Sequence, residues 1–255
     1  MSTRGAQGGG SGEPTASSPA PVAPGEVGAL STDLAAASLA LARRFAAGAT
    51  LWCCAPAWPQ HGLHVAVEFV HPVIVGKRAL PAVALTGPDP VAILRTESKA
   101  DDVLLAVADA GDSVVRSAMA RAPAWGLETI WIGAGPRPSP GAADHVLWLA
   151  DDDGTATHTG AFVLLYHVLW ELTHVCFEHP GLLTPNGPGE DDVCVTCRDE
   201  GRLAEVVSAQ PPSGARVRTA AGLEDVDTTL VGDVGAGDLL LVHAGTAIGT
   251  VEAAP

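Results

Sequence analysis

Cys194-Val195-Thr196-Cys197 places two thiols three residues apart. Thiolates are soft ligands, and a reduced pair at this spacing suits metal binding or redox chemistry better than a structural staple. A second constellation lies between His61 and Val70, where His64 and Glu68 stand four residues apart. On a helix that spacing puts both side chains on one face. An imidazole beside a carboxylate offers acid–base chemistry or two ligands to a divalent ion. A structural zinc usually needs a second thiol pair, which the chain lacks, and a redox pair normally opens a helix after a strand.

Five cysteines in all (Cys53, Cys54, Cys176, Cys194 and Cys197) do not make an even disulfide set. Cys53 and Cys54 fall inside an apolar run and read as core. Met1 to Val27 holds one basic residue and no apolar stretch, so no export signal is expected, and the expected setting is cytoplasmic with reduced thiols. The formal charge of -15 argues against nucleic acid and anionic membranes, which both need a basic face. No run of eighteen apolar residues predicts a transmembrane helix. With 47% apolar and 17% charged residues, the 255-residue chain has material for a sizeable core.

Residues 1–28 are Gly, Ser, Pro and Ala with few large apolar side chains, which predicts a disordered leader. A helix follows, capped by Ser31 or Thr32 and ended by Gly48. Strands are expected at Thr50–Cys54, Leu80–Leu85, Asp102–Ala108, Leu127–Gly133 and Asp144–Leu149. Helices are expected at His61–Val70, from about Ser113 to Trp125, and from about Gly160 to Phe177. Continuous apolar strands alternating with helices imply a parallel sheet covered on both faces. Residues 184–192 read as a linker. From 193 to 255 the pattern changes to short strands and turns, the signature of a small β-barrel. The predicted fold is therefore α/β over residues 29–183, followed by a barrel.

The last sixty residues carry a resemblance. Asp225-Val226-Asp227-Thr228-Thr229-Leu230-Val231 and Gly237-Asp238-Leu239-Leu240-Leu241-Val242-His243-Ala244-Gly245-Thr246-Ala247-Ile248 are similar to the HypC/HupF family, small chaperones of [NiFe]-hydrogenase maturation. That family has an OB-like barrel. One cysteine, exposed at its N-terminus, helps hold an iron fragment bearing cyanide and carbon monoxide. The resemblance implies iron handling by Cys194, Cys197 and His243. It implies a transient Fe(CN)2CO cargo, a HypD-like scaffold as partner, and a hydrogenase large-subunit precursor as recipient. Here the cysteines precede Gly201-Arg202-Leu203-Ala204-Glu205 instead of standing at an N-terminus, and the family's single position falls between them.

The region before the linker resembles a SIS domain of the phosphoheptose-isomerase type. The resemblance rests on Ala40-Leu41-Ala42-Arg43-Arg44-Phe45-Ala46-Ala47-Gly48, Gln60-His61-Gly62-Leu63-His64, Leu80-Pro81-Ala82-Val83-Ala84-Leu85 and Tyr166-His167-Val168-Leu169-Trp170-Glu171-Leu172. It implies a metal set of His64, Glu68 and His167, holding zinc or iron, and pairing of the chain into a homodimer or larger homo-oligomer. Where the family's glutamine ligand stands, this chain has Thr159, next to His158. His61, His71 and His174 read as solvated or hydrogen-bonded side chains on the same two helices. The family's two phosphate-binding loops are rebuilt here as Ala55-Pro56-Ala57-Trp58-Pro59 and Ala108-Asp109-Ala110-Gly111-Asp112-Ser113. Gly111 and Ser113 alone survive as ligand-pocket candidates. Prolines remove N–H donors and aspartates repel phosphate.

These readings rank a hydrogenase-maturation chaperone first. A metal-dependent sugar-phosphate isomerase, with His64, Glu68 and His167 as ligands or acid and base, comes second. A regulator sensing a ligand in the SIS pocket comes last.

Overall fold

The computed structural model describes residues 30–150, 160–183 and 201–252. The leader, the linker, Cys194, Cys197, His158 and Thr159 lie outside the described residues.

Helix α1 (Ser31–Ala46) precedes β1 (Leu51–Cys54). Neither Ser31 nor Thr32 caps α1. The preceding residue is Leu30, which is buried in the core and supplies no side-chain cap. Helix α2 (Pro59–Val70) begins with a proline at its first position, where the missing N–H costs nothing. Strand β2 (Ala82–Ala84) is shorter than the expected run, because Pro81 has no N–H to extend the ladder. Helix α3 (Pro90–Glu97) is an addition to the expected elements. Asp89 accepts a hydrogen bond from the Ala92 N–H and Pro90 opens its first turn.

Strand β3 (Val103–Val107) leads into α4 (Ser113–Arg121). The helix expected to reach Trp125 ends at Arg121. Pro123 breaks it, and Ala122–Trp125 form a 3₁₀ turn closed by Gly126 at φ 77°. Strands β4 (Glu128–Ala134) and β5 (His145–Leu149) follow, then the long helix α5 (Ala161–Glu178).

The five strands run parallel in the order β2-β1-β3-β4-β5. Alternate residues feed two cores. Leu51, Cys53, Leu105 and Ile132 pack under α1, α2 and α5. Trp52, Cys54, Leu104 and Trp131 pack under α3, α4 and the 3₁₀ turn. Gly133 cannot carry a side chain, since a Cβ would lie 2.3 Å from the Trp148 ring.

Strands β6 (Arg202–Gln210), β7 (Gly214–Thr219), β8 (Gly222–Asp227), β9 (Leu239–His243) and β10 (Thr246–Val251) close a barrel in the order β10-β8-β7-β6-β9. Its interior is small, with Ala204, Val206, Val217, Leu240 and Val242 among the buried residues. Glu205 on β6 points out of the barrel and into the α/β domain. It is 1% exposed and takes hydrogen bonds from Arg95 (2.9 Å at Nη2) and the Trp125 indole (2.8 Å). Arg121 lies 3.7 Å away. Arg218 adds a bond to the Ser98 carbonyl at 2.9 Å. Among the described residues, no helix is long and apolar enough to cross a membrane.

A second ion cluster ties α1 to the sheet. Glu128 takes bonds from Arg44 (2.9 Å at Nη2) and faces His145 Nε2 at 3.2 Å. The His145 hydrogen bond and then the Arg44 guanidinium hold the Glu128 carboxyl down to about 2. A depressed carboxylate stabilises the fold above its ordinary range, and the benefit is lost as pH falls through the folded value. Glu128→Gln is therefore expected to cost about 2 kcal/mol at neutral pH. The gap between variant and wild type should close from about pH 4.5 to about pH 2, as read by urea unfolding.

Candidate functional site

Helices α2 and α5 cross so that His64, Glu68 and His167 meet. Glu68 Oε1 is 3.2 Å from His64 Nε2 and 3.5 Å from His167 Nε2, and the two imidazole nitrogens are 3.3 Å apart. The three expected ligands of the α/β domain thus form one group. An ion with ligand bonds near 2.05 Å in tetrahedral geometry separates its donors by about 3.3 Å. The observed spacings match one face of such a tetrahedron. Two imidazoles and a carboxylate are a donor set for zinc or ferrous iron. The side chains of His64 and His167 are 38% and 43% exposed, so the group opens to solvent.

Sequence reasoning missed what stands behind the ligands. Tyr166 is buried, and its hydroxyl lies 2.8 Å from His64 Nδ1 and 3.4 Å from His61 Nδ1. With His64 Nε2 turned to the group, Nδ1–H donates to the tyrosine oxygen and the tyrosine O–H is left for His61. Such a contact fixes the tautomer and orientation of a ligand. Burial, then the Glu68 charge, pushes the Tyr166 hydroxyl up to about 12, so it stays protonated. Burial, then His64, lowers His61, which keeps it a neutral acceptor. The signal was adjacency: Tyr166 precedes a ligand, and His61 is one turn before the other. His174 is hydrogen-bonded to the Trp170 and Arg78 carbonyls, and His71 is exposed.

The loops after β1 and β3 are closed by the chain's own side chains. Trp58 packs against Phe162 with centroids 5.5 Å apart and the rings tilted by 35°. Asp112 Oδ1 accepts from the Val114 and Val115 N–H groups, both at 3.0 Å, so the α4 N-terminus is already bound to a carboxylate. Gly111 and Ser113 flank Asp112 and are exposed. Cys53 and Cys54 are buried in the sheet. Burial, then the Asp112 charge, pushes the Cys54 thiol up to about 12, and burial raises Cys53 also. These thiols are core groups rather than ligands.

In the barrel, His243 ends β9 and is half-buried. It pairs with Thr246 across a two-residue turn in which Ala244 and Gly245 both have positive φ, 48° and 81°. That is the turn type that suits a tight hairpin. Arg202 pairs with Val242, so the chain enters β6 beside the end of β9 that carries His243. Cys197 precedes Gly201, the residue before β6, by four positions.

The described residues from 30 to 150 and from 160 to 183 form an α/β unit of the sugar-isomerase-domain fold, and residues 202–251 form a five-strand barrel. The chain is similar to a phosphoheptose isomerase from Francisella tularensis at 19% identity over 59% of this chain and 90% of that one, with a TM-score of 0.51. It is also similar to a phosphoheptose isomerase from Neisseria gonorrhoeae (19% identity, 58% and 89% coverage, TM-score 0.49). A third neighbour is the sugar isomerase domain of an RpiR transcription factor from Sphaerobacter thermophilus (17%, 62% and 89%, 0.42). At these identities the first match shows a shared fold. No protein-family model matches the sequence, and no curated protein does.

Proposed function

We propose that this chain is an accessory protein of [NiFe]-hydrogenase maturation. Its barrel would carry an Fe(CN)2CO fragment as cargo, docked on a HypD-like scaffold and then on the large-subunit precursor. One observation carries the reading. The β6–β9 register brings Arg202, the first residue of β6 and five positions after Cys197, to the strand end bearing His243. Thiolates and an imidazole brought together would be ligands for low-spin iron that can be passed on. The α/β domain would pair two copies of the chain. Leu63, Val67 and Leu164 are exposed on α2 and α5 and give an apolar surface for that pairing.

A second reading rests on the His64–Glu68–His167 group and on the fold it sits in: a metal-dependent sugar-phosphate isomerase. When bound, the ion would polarise a substrate oxygen. The Asp112 cap and the packing of Trp58 on Phe162 stand against this reading, because the loops they close are where a phosphate would have to bind.

Anaerobic affinity capture of wild type and of Cys194→Ala, Cys197→Ala and His243→Ala separates the two. The maturation reading expects a scaffold or large-subunit precursor in the wild-type capture, lost on replacing a thiol. It also expects infrared bands of bound cyanide and carbon monoxide. Capture of the chain alone, with turnover of a seven-carbon sugar phosphate by metal-loaded protein, would replace it with the second reading.

A further inference from the structure

On the opposite face of the sheet from the His/Glu/His group lies a cavity of about 430 Å³. Its lining includes Met119, Pro123 and Trp131, which give it an apolar floor. Arg116 rises from α4 on one side. Arg137 and Ser139 come from the segment between β4 and β5 on the other. That segment reads Arg137-Pro138-Ser139-Pro140-Gly141. Two prolines fix its backbone and Gly141 turns it at φ 80°, so the arm is ordered before any ligand arrives.

The charge of this cavity is unusual for the molecule. Most described arginines are committed internally. Arg44, Arg95, Arg202 and Arg216 pair with carboxylates, and Arg43 and Arg218 donate to backbone carbonyls. Arg78 lies over the Phe177 ring, and Arg121 stands near Glu205. Among the described residues, Arg116 and Arg137 have no carboxylate, carbonyl or ring partner. Both line this one cavity, in a chain of formal charge -15. Guanidinium pairs bind carboxylate or phosphate through parallel N–H bonds, and the floor suits a flat, apolar body.

We propose that this cavity binds a small organic anion, a carboxylate or phosphate monoester with an apolar body, between Arg116 and Arg137. The assignment does not depend on the proposed function. It is tested by calorimetric titration of the full chain with phenyl phosphate, benzoate, inorganic phosphate and benzyl alcohol. Phenyl phosphate or benzoate is expected to bind, with affinity falling as salt rises. Arg116→Ala and Arg137→Ala should each weaken that binding roughly tenfold or more. His64→Ala should leave it unchanged, and thermal unfolding without ligand should show both arginine variants folded. Four results would overturn the assignment. These are no binding of either organic anion, binding unchanged in both arginine variants, equal binding of benzyl alcohol, or binding lost in His64→Ala alone. Inorganic phosphate binding as tightly as phenyl phosphate would overturn the role of the apolar floor.

Discussion

Replacing Glu205 with alanine is expected to destabilise the protein by about 3 kcal/mol and to split its unfolding into two transitions. The carboxylate is 1% exposed and is the common acceptor for the Arg95 guanidinium and the Trp125 indole, with Arg121 close by. Removing it strands these donors in the contact between barrel and α/β domain. Arg121 Nε and Nη1 are already buried without a hydrogen-bond partner, so no spare acceptor is at hand for them. The barrel's own interior is built from alanine, valine and leucine, so its contact with the α/β domain, which Arg218 and Leu239 also share, carries weight. Small domains bury a lower share of their surface and rely on such outside contacts. Urea unfolding followed by tryptophan fluorescence and by far-UV circular dichroism reads the effect. A single transition, shifted by less than about 0.5 kcal/mol, would remove Glu205 from the account. Glu205→Gln keeps the volume but loses the charge, and should fall between the two.

Loss of one imidazole from the His/Glu/His group should weaken metal binding roughly a hundredfold or more, for either His64→Ala or His167→Ala. With donors 3.2 to 3.5 Å apart, two remaining ligands leave an ion mostly hydrated. Tyr166→Phe removes no ligand, yet deprives His64 Nδ1 of its acceptor, and is expected to weaken binding about tenfold. Competition against a chelating dye with zinc and with ferrous iron measures both effects. Equal affinities for wild type and His167→Ala would mean that the three side chains form a hydrogen-bonded cluster and nothing more.

The sheet was legible because β1 and β3 are buried along their whole length and β4 and β5 along most of theirs, so all four read as largely apolar runs. Helix α3 was missed for want of a strong apolar stripe, since it buries only Pro90 and Leu94. Its trace in the chain was Asp89-Pro90, a cap followed by a first-turn proline. The end of α4 was misplaced because Ala122-Pro123-Ala124-Trp125 is apolar enough to look helical, while Pro123 forbids it. In the candidate site, the i,i+4 spacing showed His64 and Glu68 on one face. Tyr166 did not declare itself, because a buried aromatic on an apolar helix looks like core. Glu205 did not either. A glutamate on a strand reads as facing water, and its partners stand 80 and 110 residues away in sequence. Contacts at that separation leave no local pattern.

Asp112 has a consequence for anyone designing ligands to this α/β domain. Its carboxylate is a competitor tethered two and three peptide bonds from the N–H groups it binds, each at 3.0 Å. A dissolved phosphate would have to displace a rival whose effective molarity far exceeds any concentration reached in solution. A sugar-phosphate mimic aimed at the start of α4 would therefore meet an occupied seat, and trimming Asp112 to alanine would do more to vacate it than any improvement in the mimic.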